Sequence, residues 1–370
     1  MNLSYWEYKS WLSNIDFTII GSGIVGINCA LQLRKRYPKA KIVILERGIL
    51  PQGASTKNAG FACFGSISEI LADLNHHSEE ELVNLVKERK EGVQTLRELL
   101  GDQNIGFQLH GGHELFMEKH GELYEHCVSQ IKYLNGLLQP VFKGNTFTVT
   151  PNTFNFKSIE DSYITHNYEG QINTGEMMRS LLDLAHKSNI AILNAITVTS
   201  VHDTGTSVSV KTNNFEFKST KVLIATNGFA NQLINEEVKP ARAQVLITKP
   251  IANLHIKGTF HLEEGYYYFR NIDDRILLGG GRNLDFATEE TDEFGNTEII
   301  QDKLKELLST VILPRTPFEI DYSWSGIMGV GHQKKPIVKQ LSNNLACGVR
   351  LGGMGIAIGT GIGQKLAYIF

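Results

Sequence analysis

Three glycines and one acid carry the first chemical signal in this chain: Gly21, Gly23 and Gly26, followed by Glu46. In the run Gly21-Ser22-Gly23-Ile24-Val25-Gly26 each glycine answers a separate steric demand. Gly21 permits a tight strand-to-helix turn, Gly23 lets backbone approach a pyrophosphate, and Gly26 lets helix and strand pack closely. A helix that begins here offers free N–H groups to phosphate oxygens. Glu46 follows about 20 residues after the last glycine, where a carboxylate accepts both hydroxyls of an adenosine ribose. An acid there favours an unphosphorylated ribose, so the pattern points to FAD or NAD and away from NADP. The motif alone does not choose between those two.

The flanking residues supply the elements that would position this motif. Residues 17–20 are an apolar, β-branched run, expected as a buried strand. Ile24, Ile27, Ala30 and Leu31 repeat at helical spacing, and Arg34, Lys35 and Arg36 complement the helix dipole in its last turn. Pro38 stops that helix, and Ile42 to Leu45 form a second buried strand ending at Glu46. Strand, glycines, helix, strand and acid fall in the order that a dinucleotide-binding βαβ unit requires.

At 370 residues the chain is too long for one simple core, so two intimately packed domains are expected. A net charge of −3 gives no sign of nucleic-acid or membrane-surface binding. The four cysteines, at 29, 63, 127 and 347, form no CxxC pair. They read as free thiols in a reducing compartment, with no disulfide framework and no metal site. Residues 1–14 lack the basic start and apolar run of a secretory signal, and their aromatics are expected to pack on the body. The apolar stretch 351–363 is too short and glycine-rich to span a bilayer. A soluble cytoplasmic protein with no transmembrane segment is the expectation.

Residues 48–66 are small and nearly uncharged, which suits backbone lying against something flat and large; the alternative is an ordinary surface loop. Ser78 and Glu81 form a capping box that opens an amphipathic helix over 78–100. A strand is expected over 111–117, a helix over 123–138, and a helix over 175–188 capped by Thr174. His110 with His113, and the adjacent His76 and His77, lack carboxylate partners and read as structural. Short strands follow over 190–193, 198–202, 207–212, 215–218 and 222–225, the last stopping at Thr226-Asn227-Gly228. Residues 231–324 then turn strand-like and aromatic, with one helix over 297–308, and imply an antiparallel sheet on the substrate side. The tyrosine run 266–268 is either a half-buried strand or ligand-facing. The chain closes with a strand, a glycine-rich turn and a helix whose N-terminus can stabilise negative charge.

Together these stretches resemble the D-amino-acid oxidase/glycine–sarcosine oxidase superfamily of FAD enzymes, from Asp16 to the last helix. Four spaced motifs carry the likeness: GSGIVG with Glu46, GASTKNAGF at 53–61, VLIATNGFA at 222–230 and VRLGGMGIAIGTGIG at 349–363. The second most resembles the flavin loop of γ-glutamylputrescine oxidoreductase-type members. The resemblance implies an α/β (α+β overall) architecture. A discontinuous Rossmann-like FAD-binding domain would take residues 15–75, 155–230 and 325–370. A mainly antiparallel-sheet substrate domain would take 76–154 and 231–324.

Carried over residue by residue, Gly21, Gly23 and Gly26 would hold the FAD pyrophosphate, with Ser22, Ile24 and Val25 between them. Glu46, beside Arg47, would take the adenosine ribose, and Val198 matches the backbone position that meets adenine. Ala54, Ser55, Thr56, Asn58, Ala59 and Gly60 would line the flavin. Thr226, Asn227 and Gly228 would pass close to it, Asn227 departing from the usual alanine. Gly353, Met354, Gly355 and Ile356 would cross beneath the ring, with the final helix aimed at a reduced, anionic flavin.

The departures shape the expected chemistry. Met328 stands where many α-amino-acid-oxidising relatives carry arginine. Ala357 and Leu277 stand where sarcosine-oxidase-like members use lysines, so simple D-amino acids and sarcosine are expected to be poor substrates. Gly326 occupies the place of the cysteine that attaches flavin covalently, which implies dissociable FAD. The implied reaction is hydride removal from a carbon next to nitrogen of an amine or amino-acid derivative, with oxygen or an electron carrier as acceptor. Tyr267, Arg270 and Arg282 on the sheet, with Met354 against the ring, are the candidate catalytic residues; Arg242 is a further candidate. The competing role for each arginine is a structural ion pair, for Arg282 with Asp285 or Glu289. A 2-hydroxy-acid dehydrogenase and a flavin-binding subunit of a larger assembly are the alternatives. A NAD-linked dehydrogenase would leave the 53–61 and 349–363 loops without a job.

Overall fold

The structure is a computed structural model and describes residues 3–333 and 335–370. Its first sheet has the spatial order Ile337–Gln340, Leu345–Val349, Glu216–Ile224, Ile15–Ile20, Ile42–Leu45 and Ala191–Leu193. Five of these strands run parallel, Ile15–Ile20 at their centre: Ile20 lies opposite both Leu45 and Ile224, Ile224 opposite Cys347, and Leu45 opposite Leu193. Their carboxyl ends therefore share one edge of the sheet. The segments expected at 215–218 and 222–225 form one continuous strand, Glu216–Ile224. Its first half pairs antiparallel with Val208–Thr212, so the same strand serves a hairpin and then the parallel core.

Helices Ile24–Arg36 and Gly355–Ala367 cover one face of this sheet, burying Ile27, Leu33, Ile362 and Leu366 against Ile19 and Ile44. They approach closely because Gly363 faces backbone: a Cβ there would lie 2.6 Å from the Val25 carbonyl oxygen. Helix Glu79–Leu100, capped by Ser78 and Glu81 as its sequence implies, packs on the final helix through Gly92, whose added Cβ would collide with the Ala357 carbonyl. The opposite face buries Val43, Val208, Phe217 and Val222.

The second sheet runs Ile320–Val330, Lys239–Thr248, Arg275–Gly280, Tyr267–Ile272, Thr259–Leu262, Gly112–Leu115, Ser162–His166 and Phe147–Pro151. It is antiparallel except where Thr259–Leu262 pairs parallel with Gly112–Leu115. Two expected domain limits fall inside these units. The boundary at 324 cuts strand Ile320–Val330, and the boundary at 154 separates Phe147–Pro151 from its partner Ser162–His166. Helix Glu298–Leu307 closes the outer face over Leu246, Phe260, Phe269 and Leu278.

Three local expectations are corrected. The helix at 174–187 is capped by Asn173, whose side chain accepts the Glu176 N–H, and not by Thr174. A helix not anticipated, Ile67–Leu74, opens on the capping box Ser66-Ile67-Ser68-Glu69. The N-terminal aromatics do not pack inward: Tyr5, Trp6, Tyr8 and Trp11 are exposed, and among the described residues of that segment only Leu12 is buried.

The Gly92 contact gives a direct test of this packing. Gly92→Ala should destabilise the fold by about 1–3 kcal/mol, because the intruding methyl meets backbone that cannot rotate away. Gly136→Ala, at a helical site where an added Cβ meets nothing, should be neutral or stabilising by about 0.5–1 kcal/mol. Denaturant unfolding of both variants measures the contrast.

Candidate active site

Loops leaving the shared strand edge enclose a cavity of about 570 Å³, where a ligand site of an open α/β sheet is expected. Gly21, Gly23, Ile24 and Val25 line it beside Glu46, Arg47 and Val198. Gly21 sits at φ +105, and a Cβ there would come within 2.8 Å of the Ala225 carbonyl oxygen, so no other residue fits the turn. Gly26 lies behind it, pressed on the Gly21 carbonyl, and does not reach the cavity. Ser22 is also buried: its N–H and hydroxyl donate to Glu46 Oε2 at 3.1 and 2.7 Å, while Gly48 N–H donates to Oε1 at 3.0 Å. Ser22 thus orients the acid instead of touching a ligand.

The loop over 53–60 is built by its own small residues and tied down from three sides. Ser55 Oγ accepts the Ile24 N–H at 3.0 Å, which joins the loop to the glycine turn. The Asn58 carboxamide donates to the Ala54 and Ser55 carbonyls and accepts the Gly60 N–H at 2.9 Å. Thr174 Oγ1 donates to Asn58 Oδ1 at 2.9 Å, and Trp324 Nε1 donates to the Lys57 carbonyl at 3.0 Å. Ala54, Ser55, Asn58, Ala59 and Gly60 line the cavity; Thr56 turns back to donate to the Pro51 carbonyl.

Arg270 completes this anchoring. Its Nη1 donates to the carbonyls of Ile172, Gly60 and Ala59 at 2.6, 3.1 and 3.2 Å, and Nε donates to the Asn271 carbonyl. The residue is 3% exposed, and burial lowers its pKa to about 10. It therefore holds loop backbone and does not face the cavity, contrary to the expected substrate contact.

On the far side, Thr226 and Asn227 line the cavity, and Thr226 Oγ1 is buried without a partner among the described residues. Asn227, at φ +46, accepts the Leu351 N–H at 3.1 Å, so this departure from the usual alanine binds two edge loops together. Gly228 faces the Met328 carbonyl and not the cavity. Gly353 and Gly355 have open space where a Cβ would stand, and they line the cavity with Met354, Ile356 and Gly326. Met354 is the N-cap of the final helix, so that helix starts at the cavity wall.

The second sheet supplies the remaining wall. Tyr267 is turned into the core beneath the outer helix, where burial pushes its hydroxyl up to about 12. Its neighbours Tyr266 and Tyr268 line the cavity in its place, as the alternation of a strand demands. The space left by Gly279 is filled by the Tyr268 ring, 2.6 Å from where a Cβ would be. Arg242 is spent in a buried two-pronged ion pair with Glu289, at 2.8 and 2.9 Å. Arg282 keeps no carboxylate partner among the described residues; it lies over the Phe286 ring at 4.9 Å and lines the cavity. Burial lowers its pKa, with Glu290, Glu289 and Tyr266 opposing. Met328 also faces the cavity, while Leu277 and Ala357 are buried away from it. Glu69 and His261 are lining residues that the sequence reading missed; only the capping box at Ser66 hinted at the first.

A family model described as FAD dependent oxidoreductase matches residues 16–369. The chain belongs to this FAD-dependent oxidoreductase family. Solved structures agree on the fold. L-proline dehydrogenase from P. horikoshii aligns with a TM-score of 0.75 at 16% identity, over 96% of this chain and 93% of its own. Glycine oxidase from Geobacillus kaustophilus gives 0.75 at 18%, over 95% and 93%. Iminodiacetate oxidase from Chelativorans sp. BNC1 gives 0.75 at 17%, over 95% and 94%. No curated protein matches the chain by sequence. Among the described residues no helix is long and apolar enough to cross a membrane.

The cavity of this FAD-dependent oxidoreductase fits its cofactor. Bare glycine backbone at 353 and 355, a preset Glu46 and an unpartnered Thr226 hydroxyl match a large, flat ligand with a ribose and a charged bridge. Glu46→Ala should weaken FAD binding by about 1–3 kcal/mol, the scale of hydrogen bonds to a charged group. Arg270→Met should cost FAD affinity roughly tenfold or more, since three loop carbonyls lose a charged donor worth about 1.5–3 kcal/mol. Titration of apoprotein with FAD measures both, and unchanged affinity in either variant removes that residue from the account.

Proposed function

We propose that this family member oxidises the C–N bond of an amine that carries a carboxylate or amide, with FAD bound non-covalently. Bound FAD would accept hydride at N5 from the carbon next to nitrogen, and the imine product would hydrolyse in water. The observation that carries the substrate side of this reading is Arg282. It is the forked donor at the cavity wall whose candidate ion-pair partners are absent: Glu289 is taken by Arg242, and Asp285 instead accepts the Thr288 N–H at 3.0 Å. A carboxylate or amide docked there would be held in two places, at a partly dry site where such pairs are strong. L-proline, glycine and iminodiacetate, named for the neighbouring structures, are each an amine bearing a carboxylate.

The chain's own contribution is orientation and exclusion of water. Met354, Met328 and Tyr268 give the cavity large apolar lining surfaces. The N-terminus of helix Gly355–Ala367 would stabilise the negative charge gained by the cofactor. Gly326, where an added Cβ would meet Lys57 Cβ at 3.1 Å and Ala54 Cα at 4.0 Å, leaves no side chain to attach a flavin. The four buried free cysteines suit a reducing, cytoplasmic setting.

The test is anaerobic bleaching of the bound flavin by a panel of amines, amino-acid derivatives and 2-hydroxy acids. Bleaching by amines is the expected result, and admission of air then separates oxidase from dehydrogenase. Bleaching by hydroxy acids alone would support the hydroxy-acid alternative. Arg282→Lys keeps the charge but loses the fork, so kcat/KM should fall roughly 10–100-fold with FAD content and Tm retained. Unchanged kinetics would exclude Arg282 as the clamp.

A further inference from the structure

Oxidation at a carbon bearing nitrogen needs that nitrogen neutral, because its lone pair must push as hydride leaves. Alkylamines are ammonium ions at neutral pH, with pKa values of about 10. Some group must take the proton. His261, on strand Thr259–Leu262, lines the cavity and is 8% exposed, yet its Nε2 has no hydrogen-bond partner among the described residues. Core histidines differ in this respect, His113 on the adjacent strand meeting Thr165 Oγ1 at 2.9 Å and His166 leaving Nε2 without a partner among the described residues; what sets His261 apart is that it stands on the cavity wall. The His261 ring stands edge-on to Phe61 at 5.2 Å, and its cross-strand neighbour is Tyr268.

Four titratable groups surround it. Glu69 comes from helix Ile67–Leu74, Glu114 and His113 from the parallel strand, and Tyr268 from the antiparallel one. Glu114 is turned to the Ser68 N–H and hydroxyl, and burial holds His113 neutral, its pKa down at about 4. Tyr268 is held protonated by burial, its pKa pushed up to about 12. Glu69 is the carboxylate left to act: one oxygen accepts the Ser66 N–H at 3.0 Å, and the acid lines the same cavity. Burial lowers the pKa of His261, and Glu69 opposes that shift, so the free enzyme presents a neutral imidazole near the Glu69 side chain.

We infer that His261 is the base that takes the ammonium proton of the substrate, with Glu69 positioned to stabilise the imidazolium. The inference rests on the amine-oxidising reading above. The imidazole lone pair forms a bond to the proton as the ammonium N–H bond breaks. The freed nitrogen lone pair then forms the C=N bond while the α-hydrogen leaves with its electron pair to FAD, the oxidant. Water adds to the iminium carbon, and the imidazolium returns its proton to solvent.

The test measures kcat/KM, and the rate of anaerobic flavin bleaching, on holoenzyme with the best amine of the panel. The range runs from about pH 6 to about pH 11, which brackets histidine and alkylamine pKa values. Wild-type enzyme should act on the ammonium form and so hold a plateau at neutral pH, falling above the amine's own pKa. His261→Asn should act on neutral amine only. Its kcat/KM should climb about tenfold per pH unit and meet the wild type near the amine's pKa, leaving a roughly 100-fold deficit two units below. FAD content, Tm and the spectral shift caused by an amine-free carboxylate should be unchanged. Glu69→Gln, which keeps an acceptor for the Ser66 N–H, should show the same climb over a smaller span, and it carries the test if the asparagine variant does not fold. Profiles parallel to the wild type in the folded variants overturn the inference alone. Failure of every amine to bleach the flavin overturns the amine reading and this inference with it.

Discussion

The whole site depends on one constraint: parallel strands of a single sheet must end at the same edge. Because Ile15–Ile20 pairs in parallel with Ile42–Leu45 and Glu216–Ile224, and the latter with Leu345–Val349, four loops distant in sequence are delivered to one place. Each strand end then needs backbone that can turn sharply and approach a ligand, which is why glycines gather there. The edge is fixed by buried β-branched residues such as Ile19, Ile44 and Ile224, so a stable core and a precise site are the same construction.

Loops leaving such an edge would be floppy without ties, and here the ties are side chains from the second sheet and the crossover segments. Arg270 binds three carbonyls around Gly60, Trp324 binds Lys57, and Thr174 binds Asn58. Asn227 does the same for the loop before the final helix. A buried cation surrounded by carbonyls satisfies acceptors that water cannot reach. Along strand Tyr267–Ile272 the faces alternate: Tyr267 and Phe269 point into the core, while Tyr268 and Arg270 share the other face, Tyr268 at the cavity and Arg270 at the loop.

That alternation explains what the sequence did and did not disclose. Gly21, Gly23 and Glu46 were legible because their spacing is demanded by local geometry that any dinucleotide imposes. Gly353 and Gly355 were legible for the same reason, as bare backbone at a helix start. Arg270 was misjudged because an arginine beside three tyrosines reads the same whether it serves substrate or backbone carbonyls; only tertiary packing separates the two. Sequence does not separate Tyr267 from Tyr268, because a run of three tyrosines does not reveal which parity faces inward. His261 carries no sequence signal at all, since a lone histidine in an apolar strand is more often core. Glu69 sat behind a capping box, Ser66 to Glu69, that would have placed its helix.

The central claim is that the reaction breaks a carbon–nitrogen relationship, and product stoichiometry tests it most directly. For each electron pair taken from the substrate, the account predicts one carbonyl product and one equivalent of ammonia or free amine, measured together after complete flavin turnover. A carbonyl product formed with no nitrogen released would contradict it and show that the bond oxidised was carbon to oxygen.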